Sequence, residues 1–496
     1  TCALPILKAF EEEDSYLELE HVIFPDKGVL MQQRGVCSDT KINLEACRLF
    51  LTKLIAVLNR GDNFTKDEAT ELFFATTKLF YSNNIPLRQL LFTALRAVIP
   101  YACDVFVVMN SLSKDASSVY DFQRSSALRT LGMILSDQTI SALDRHYKQG
   151  IVDKKPNVAV SALATACKLA LTHGDVVAKW MPEINTALTS SNYLVQAQSI
   201  RLLHILKRND RVSLIRIVLT YGKQKPLRSP YAHIELIKIC RKILIGERAY
   251  SKTVLPLVDY LNTCLRPNND VVAIEAIKLV SQLELDAAPQ SLSVQLMNSL
   301  QVYIQSNKLL LRFIAIRVLS EMSLKYNDLV STLRVDVESL LRESNKTVLI
   351  MAISTSLNIC NESSIEGLLN KISKFMNELP DAFRIKIINT VEKLGERYPN
   401  KHVTLLGFLA HSLSIKGVKF QTAVINTIHH LCLAQPRIRE TALGTLSDYI
   451  EDCEYPEIIM KVFTFIGEIG PHSRKPIKYI RAIYNRLLLE SPAIRA

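Results

Sequence analysis

One pattern of apolar positions recurs through most of the chain. An apolar residue is followed four positions later by a small or aliphatic residue, then by an aliphatic one, and usually by another apolar residue three positions further on. Residues with the spacing i, i+4, i+5 and i+8 lie on one face of an α-helix. The first copy consists of Leu90, Ala94, Leu95 and Val98. Each copy predicts a helix that buries one face.

The second position of the pattern, which we call the anchor, returns at nearly constant intervals of 33 to 40 residues. The anchors are Ala94, Ala127, Ala162, Ser199, Leu236, Ala276, Ala315, Ala352, Ile387, Ala423 and Val462. A unit of about 37 residues has room for two helices with short connections, and a small anchor allows neighbouring helices to approach closely. The pattern therefore predicts an all-α fold, an α-α superhelix of the HEAT or armadillo solenoid type with about a dozen two-helix repeats.

The repeats predict one continuous domain. We assign residues 41–496 to the solenoid trunk, with a possible bend at 221–230, where Pro226 and Pro230 lie beside the weakest repeat. Residues 1–40 are less periodic and are predicted to be irregular or extended. They contain an acidic cluster formed by Glu11, Glu12, Glu13, Asp14, Glu18 and Glu20. The first residue, Thr1, and the helix-like last residues suggest a fragment of a longer protein.

The composition argues against an enzyme. Only 15 of 496 residues are glycine, and neither GxxxxGK[ST] nor GxGxxG, the loops that surround phosphates with backbone amides, occurs. The motifs HExxH, CxxC and GxSxG are also absent, so no catalytic residue, cofactor site or metal site is predicted. His429 and Cys432 share a helix face, but two potential ligands do not make a metal site. Ten scattered cysteines indicate a reducing compartment.

The net charge is +12, and basic residues concentrate in two stretches. Residues 223–252 hold eight Lys and Arg against two Glu, and residues 474–495 hold six against one. Either stretch is compatible with an ordinary solvated face, with contact to an acidic membrane or an acidic protein, or with nucleic acid. Since no stacking aromatic residues are interleaved, nucleic acid is the least favoured of these partners.

The segment 71–80 contains more large apolar residues than one helix face can bury. Leu72, Phe73, Phe74, Leu79 and Phe80 spread around the helix, whereas a buried stripe covers little more than 100 degrees. The favoured interpretation is that all of them pack between neighbouring repeats. The alternative is that one aromatic side chain faces outward and serves as a contact for a partner.

Short stretches distributed along the chain resemble the N-terminal trunk of the gamma subunits of coatomer, the COPI vesicle coat, which are adaptin-like large coat subunits. The stretches stand in the order found in that family. They are EATE at 68–71, FFA at 73–75, TKLF at 77–80, SLSKD at 111–115, IVDK at 151–154, KRNDR at 207–211, ESSIE at 362–366, YIEDCE at 449–454, KYIR at 478–481 and IYNR at 483–486.

The resemblance implies a structural coat subunit without enzymatic activity. Such a trunk forms a hetero-oligomer with the zeta subunit and the beta and delta coatomer subunits, and a GTP-bound Arf-family GTPase recruits it from the cytoplasm to the Golgi membrane for Golgi–ER and intra-Golgi transport. By position, the family's GTPase-binding residues correspond to Phe74 and Thr77 on one helix, to Val107 and Asn110 on a later helix, and to Lys114 at the edge. The family's C-terminal appendage is expected to be absent here.

A further set of residues is predicted to contact an anionic membrane or an acidic partner: Lys238, Arg241 and Lys242. Other α-solenoids remain as alternatives, because the repeat alone is shared by clathrin-adaptor large subunits and by nuclear-transport or nucleic-acid-binding solenoids.

Overall fold

A computed structural model describes residues 26–37, 43–62, 64–135, 139–245, 253–266, 268–286, 288–488, 490 and 495. These residues form 27 α-helices, several short 3-10 helices and no strand. The chain divides into two compact units, Thr1–Leu261 and Asn262–Ala496. The predicted all-α solenoid is confirmed.

The helices of the first unit are α1 (Lys27–Gln32), α2 (Leu44–Arg60), α3 (Lys66–Thr77), α4 (Ile85–Val98), α5 (Met109–Ala116), α6 (Asp121–Ile134), α7 (Ile140–Ile151), α8 (Pro156–Thr172), α9 (Gly174–Ala178), α10 (Met181–Leu188), α11 (Tyr193–Leu206), α12 (Arg211–Leu219) and α13 (Pro230–Leu244). Helix α14 (Leu255–Cys264) contains the boundary between the units.

The helices of the second unit are α15 (Asp270–Val280), α16 (Gln290–Ile304), α17 (Leu309–Met322), α18 (Asn327–Ser331), α19 (Arg334–Ser339), α20 (Lys346–Asn358), α21 (Ile365–Ser373), α22 (Asp381–Arg397), α23 (His402–Leu413), α24 (Val418–Ala434), α25 (Arg439–Asp452), α26 (Pro456–Ile469) and α27 (Pro476–Leu487).

The anchors lie on consecutive helices of one layer in each unit. In the first unit α4, α6, α8, α11 and α13 carry the anchors, and each of these helices packs against the next. In the second unit the same holds for α15, α17, α20, α22, α24 and α26. All anchors except Ala423 are buried. Small anchors such as Ala162 therefore let the backbones of adjacent repeats come close together.

The polar turns before the anchor helices act as caps. The side chain of Asn84 accepts a hydrogen bond from the Leu87 amide at 2.9 Å, and Asn269 and Asn345 cap α15 and α20 in the same way. Pro156 occupies the first turn of α8, where no backbone donor is needed. Each such cap contributes roughly 1 kcal/mol to helix stability, so the turns start successive helices at defined positions.

Trp180 lies in the core of the first unit and has no exposed surface. Its ring stacks on Tyr147 with centroids 5.4 Å apart, and its indole N–H donates to a carboxylate oxygen of Asp144. The pair joins α7 to the turn before α10. The tryptophan therefore packs at a helix end.

Two expectations about organisation have different outcomes. Within the segment 1–40, residues 26–37 form α1 and a 3-10 helix, Gln33–Cys37, instead of an extended segment. The acidic cluster at 11–20 lies outside the described residues. Between 221 and 230, the chain leaves α12 through a π-turn, Thr220–Gln224, and the bend expected there stays a prediction.

Candidate interaction surfaces

Helix α3 buries two of its three large apolar side chains and leaves the third one outside. Leu72 and Phe73 have no exposed surface, whereas 41% of Phe74 is exposed. The following 3-10 helix, Lys78–Tyr81, buries Leu79 and Phe80. The favoured interpretation, in which all of these side chains are packed, is therefore wrong, and the aromatic residue that faces outward is Phe74.

The start of α3 is fixed by a capping box. Thr65 Oγ1 accepts from the Glu68 amide at 3.3 Å, and the Thr65 amide donates to Glu68 Oε2 at 2.7 Å. The ammonium of Lys27 lies 2.6 Å from the same carboxylate, and this contact is the main cause that lowers the pKa of Glu68. An acidic side chain in the first turn also interacts favourably with the helix dipole.

Val107 lies on a 3-10 turn and not on the α-helix that follows. The turn, Val105–Val108, begins after Asp104, whose φ of 53° is in the left-handed region that Asp tolerates better than most residues. Asn110 and Lys114 belong to α5, and Asn110 is exposed. The prediction that Val107 shares an α-helix with Asn110 is therefore wrong, because the segment after the left-handed residue Asp104 starts as a 3-10 turn and becomes α-helical only at Met109.

The structure brings α3 and this turn into contact. The Cys103 amide donates to Thr70 Oγ1 at 2.9 Å, which ties the reversal to the middle of α3. Thr77 is half-buried, and its hydroxyl donates to the Phe74 carbonyl at 2.8 Å. The five predicted residues thus lie on two adjoining parts of the chain. We call Phe74, Thr77, Val107, Asn110 and Lys114 the N-terminal surface.

Two exposed aromatic residues that shortly precede Val107 in the sequence were not predicted. Phe106 is 61% exposed and Tyr101 is 51% exposed, compared with 53% for Val107. The run of four apolar residues at 105–108 is the signal that could have indicated this, since a single turn can bury only part of it. Val108 is the member that is buried. The N-terminal surface is therefore flanked by more apolar area than the sequence suggested.

The three basic residues of the second predicted site lie on the exposed side of α13. Lys238 pairs with Glu235 at 2.7 Å, and the Lys242 ammonium donates to the Arg208 carbonyl just after α11. Arg241 is exposed between them. We call Lys238, Arg241 and Lys242 the basic surface. Burial, and then the positive charge of Lys242, lower the pKa of the neighbouring His204.

The second basic stretch is partly used inside the fold. Arg486 donates to the Glu451 carbonyl at 3.0 Å and to the Cys453 carbonyl, and it pairs with Glu490 at 2.8 Å. Its charge therefore stabilises the end of the second unit. Arg248 and Lys252 of the first stretch lie outside the described residues.

The described residues contain no group of three or more His, Cys, Asp and Glu side chains that could hold a metal ion. His429 pairs with Glu468 at 3.1 Å, while His430 contacts Glu392, so the two neighbouring rings point to different partners. Among the helices that the structure describes, none is long and apolar enough to cross a membrane.

Comparison with solved structures supports the solenoid fold. A homology model of the full-length AP-3 complex in an intermediate open conformation aligns over 91% of this chain and 84% of that chain, with a TM-score of 0.65 and 14% identity. Importin beta aligns over 94% of this chain and 68% of its own, with a TM-score of 0.50 and 13% identity. At such identities the likeness concerns the fold alone.

Comparison of sequences gives closer relatives. Coatomer subunit gamma-2 of Takifugu rubripes is 34% identical over 472 residues, 95% of this chain and 54% of the relative. Coatomer subunit gamma of Drosophila melanogaster is 35% identical over 95% of this chain and 53% of its own, and that of Arabidopsis thaliana is 32% identical over 100% of this chain and 56% of its own. The chain spans about half the length of these relatives.

The family model of the adaptin N-terminal region matches residues 26–496, which is nearly the whole chain and covers all of the described structure. The resemblance to coatomer gamma subunits is confirmed by the relatives above. The chain therefore belongs to the adaptin N-terminal region family of large coat subunits.

Proposed function

We propose that this chain is a non-enzymatic structural subunit of the COPI vesicle coat and acts as a scaffold of the adaptor-like coatomer subcomplex. The observation that carries the proposal is the identity of 32–35% to coatomer gamma subunits from fish, insect and plant, which extends over 95% or more of the chain. Nuclear-transport solenoids with a TM-score of 0.50 or 0.52 share only 13% or 11% identity with it, so they give no comparable support for that alternative.

The scaffold would bind a coatomer zeta subunit and join the beta and delta subunits. It would work in the cytoplasm and on the cytosolic face of the Golgi membrane, without a cofactor and without nucleic acid. Packed helical repeats suit this role, because each repeat within a unit contributes a strip of surface to the contact with a smaller subunit.

We propose further that the N-terminal surface binds a GTP-bound Arf-family GTPase. Phe74 and Val107 present apolar side chains on two elements that pack together, and Lys114 adds a positive charge at the edge. A few exposed aromatic or aliphatic side chains with a polar rim are typical of the centre of a protein interface. The Arg34–Glu71 pair, 3.2 Å apart, provides part of that rim on the α3 side.

The experiment is a pull-down of this chain, co-expressed with a coatomer zeta subunit, on an Arf-family GTPase loaded with a GTP analogue or with GDP. We expect retention on the GTP form only. Equal retention on both forms, or none with zeta present, would remove the GTPase proposal while leaving the family assignment intact. The same pull-down is done with the chain expressed without zeta. The amount of soluble chain is measured in both cases, so that weak retention caused by poor solubility is distinguished from loss of GTPase binding.

The basic surface is proposed to contact an anionic membrane or an acidic partner. Changing Lys238, Arg241 and Lys242 together to Glu should weaken binding to vesicles that contain phosphatidylserine, since neighbouring cations each add to the attraction toward an anionic surface. Unchanged vesicle binding would leave these residues as ordinary solvated side chains.

A further inference from the structure

A row of basic residues crosses the anchor helices of the first unit. Two positions after the anchor, α4, α6, α11 and α13 carry Arg96, Arg129, Arg201 and Lys238. On α8 this position is Ala164, and Lys168 stands one helical turn further on, on the same side of the helix. Apart from Arg96, which is half-buried, these residues are exposed. We call the five residues the basic row.

Contacts and electrostatic effects connect members of the row. The five helices pack in succession, so equivalent positions on them lie side by side. Burial, and then the charge of Arg129, lower the pKa of Arg96, which indicates that the two guanidinium groups are neighbours. Cys167 precedes Lys168 in the sequence. The charge of Arg201 lowers the pKa of the Cys167 thiol and the charge of Glu235 raises it, so both side chains lie near this part of α8.

The charge of the row is not balanced by the helices that carry it. Over their full lengths the five helices contain nine Lys and Arg residues against two acidic residues, Asp121 and Glu235. Three of the nine form ion pairs: Arg88 with Asp115, Arg124 with Asp153, and Lys238 with Glu235 of its own helix. Within the described part of the chain, Arg129, Lys168 and Arg201 form no ion pair.

The second unit provides a comparison at the same repeat position. Its six anchor helices contain ten Lys and Arg against eight acidic residues. Lys278 and Arg317 again follow their anchors by two positions, and both form ion pairs. Lys278 Nζ lies 3.7 Å from Glu275 Oε2, and Arg317 Nε lies 3.5 Å from Glu321 Oε1. The basic position therefore recurs in both units, but only in the first does it leave a large surplus of positive charge.

The geometry of the row fits a polypeptide laid across the helices. Neighbouring packed helices are spaced by about 8–10 Å, and three residues of an extended chain cover about 10 Å. An extended segment with acidic side chains at every third position would thus place one carboxylate near each helix. A flat lipid surface fits less well, because Arg96 is half-buried and its Nε donates to the Phe92 carbonyl of its own helix at 3.1 Å.

We infer that the basic row is a binding site for an acidic peptide segment in extended conformation. Lys238 belongs both to the basic row and to the basic surface. The inference therefore rests on the proposed role of the basic surface, and it specifies an acidic peptide as the partner. It does not depend on the GTPase proposal, because the N-terminal surface contains none of the row residues.

The test uses the full chain and a fluorescent synthetic peptide of about 13 residues with glutamate at every third position and serine or glycine between. Binding is measured by fluorescence anisotropy at low and at physiological salt. The row variant is Arg129→Glu with Arg201→Glu. The control variant, Lys278→Glu with Arg317→Glu, makes the same change in net charge at the same repeat position on helices that already carry acidic partners.

We expect the row variant to bind the peptide at least about tenfold more weakly than the parent chain, and the control variant to stay within about twofold. A peptide with glutamine in place of glutamate should not bind. Equal weakening by both variants would show a general effect of net charge and overturn the inference. Binding of the parent chain to phosphatidylserine vesicles, but not to the peptide, would overturn it in favour of a lipid surface.

Two further measurements keep the outcomes separate. Circular dichroism establishes whether the variants are folded. If the row variant does not fold, Arg129→Gln with Arg201→Gln is used in its place, and we expect this variant also to bind the peptide more weakly than the parent chain. The row variant should still be retained by the GTP-loaded GTPase. Loss of peptide binding with GTPase binding retained supports the row, and absence of GTPase binding in the parent chain contradicts only the earlier proposal.

Discussion

The guanidinium of Arg88 forms a nearly buried ion pair with the carboxylate of Asp115, and this pair joins α4 to α5. The same guanidinium donates to the Phe80 carbonyl and lies beside the edge-to-face pair of Phe80 and Phe92, 5.2 and 5.3 Å from their ring centroids. Asp115 is the neighbour of Lys114. A contact in the core thereby holds the helix that presents part of the N-terminal surface.

Removal of one partner of this pair should destabilise the first unit. We expect Asp115→Ala to lower the free energy of unfolding by about 3 kcal/mol, because the Arg88 charge is then buried without a counter-ion. The double variant Arg88→Met with Asp115→Leu should recover much of the loss. Chemical denaturation of the three proteins measures both quantities, and a single variant within ~0.5 kcal/mol of the parent would contradict the expectation.

Phe73 and Phe74 provide a matched pair for the N-terminal surface, since the first is buried and the second is exposed. We expect Phe74→Ser to abolish retention on the GTP-loaded GTPase while it changes the free energy of unfolding by no more than about 0.5 kcal/mol. Phe73→Ser should cost about 3–5 kcal/mol. Val107→Asp is a second test from the adjoining turn. A large fall in melting temperature for Phe74→Ser would mean that this ring is structural.

Gly132 lies where α6 packs tightly against α8. A Cβ atom at this position would lie 2.0 Å from Cγ2 of Thr165, a buried β-branched side chain. We therefore expect Gly132→Ala to destabilise the first unit by roughly 1–3 kcal/mol, although alanine favours a helix. At Gly444, inside α25, an added Cβ would have open space around it, so Gly444→Ala should stabilise by about 0.5–1 kcal/mol. Denaturant unfolding curves measure the change in the free energy of unfolding for each variant. If both substitutions stabilised or both destabilised the chain, the packing argument would be disproved.

The half-buried imidazole of His233 makes two hydrogen bonds. Its Nε2 donates to the Leu227 carbonyl at 2.9 Å, and its Nδ1 accepts from the Tyr260 hydroxyl at 2.8 Å. Burial lowers the pKa of His233 below its usual 6.5. As the pH falls from about 6.5 toward the pKa of the folded state, the unfolded chain binds a proton that the folded chain does not, so stability decreases in this window.

The variant His233→Gln should remove this part of the pH dependence. We expect the free energy of unfolding of the parent to fall more steeply than that of the variant below pH 6.5, with a difference of up to about 1.4 kcal/mol per pH unit. His146 and His204, whose pKa values are also lowered by burial, remain in both proteins and cancel in the comparison. Parallel curves between about pH 7 and 5 would refute the assignment.

The repeat made most of the fold predictable. Anchors such as Ala162 and Val462 are buried because small or apolar residues at a fixed spacing can pack closely against neighbouring helices. The width of a buried stripe indicated that one aromatic residue of 71–80 could face outward, but it did not identify Phe74. The 3-10 turn at Val107 did not follow, since it depends on the reversal at Asp104 and on the tie between Cys103 and Thr70, which are far apart in sequence.

The basic row could not be predicted from charge density along the chain. Arg96, Arg129 and Arg201 are more than thirty residues apart and become neighbours only when the helices stack. Their shared position in the repeat is the signal that could have indicated them. Conversely, Arg486 belongs to a dense basic stretch, yet its two terminal guanidinium nitrogens bind backbone carbonyls and Glu490 inside the fold.

Trp180 is the single tryptophan of the chain and is buried against Tyr147 in the first unit. The fluorescence of Trp180 therefore reports the unfolding of the first unit alone. The far-ultraviolet circular dichroism signal reports the loss of helix in both units. Superimposable curves from the two signals would show that the whole chain unfolds in one cooperative step. Separated curves would reveal a half-unfolded species, and each substitution described above could then be assigned to the unit it affects without any added label.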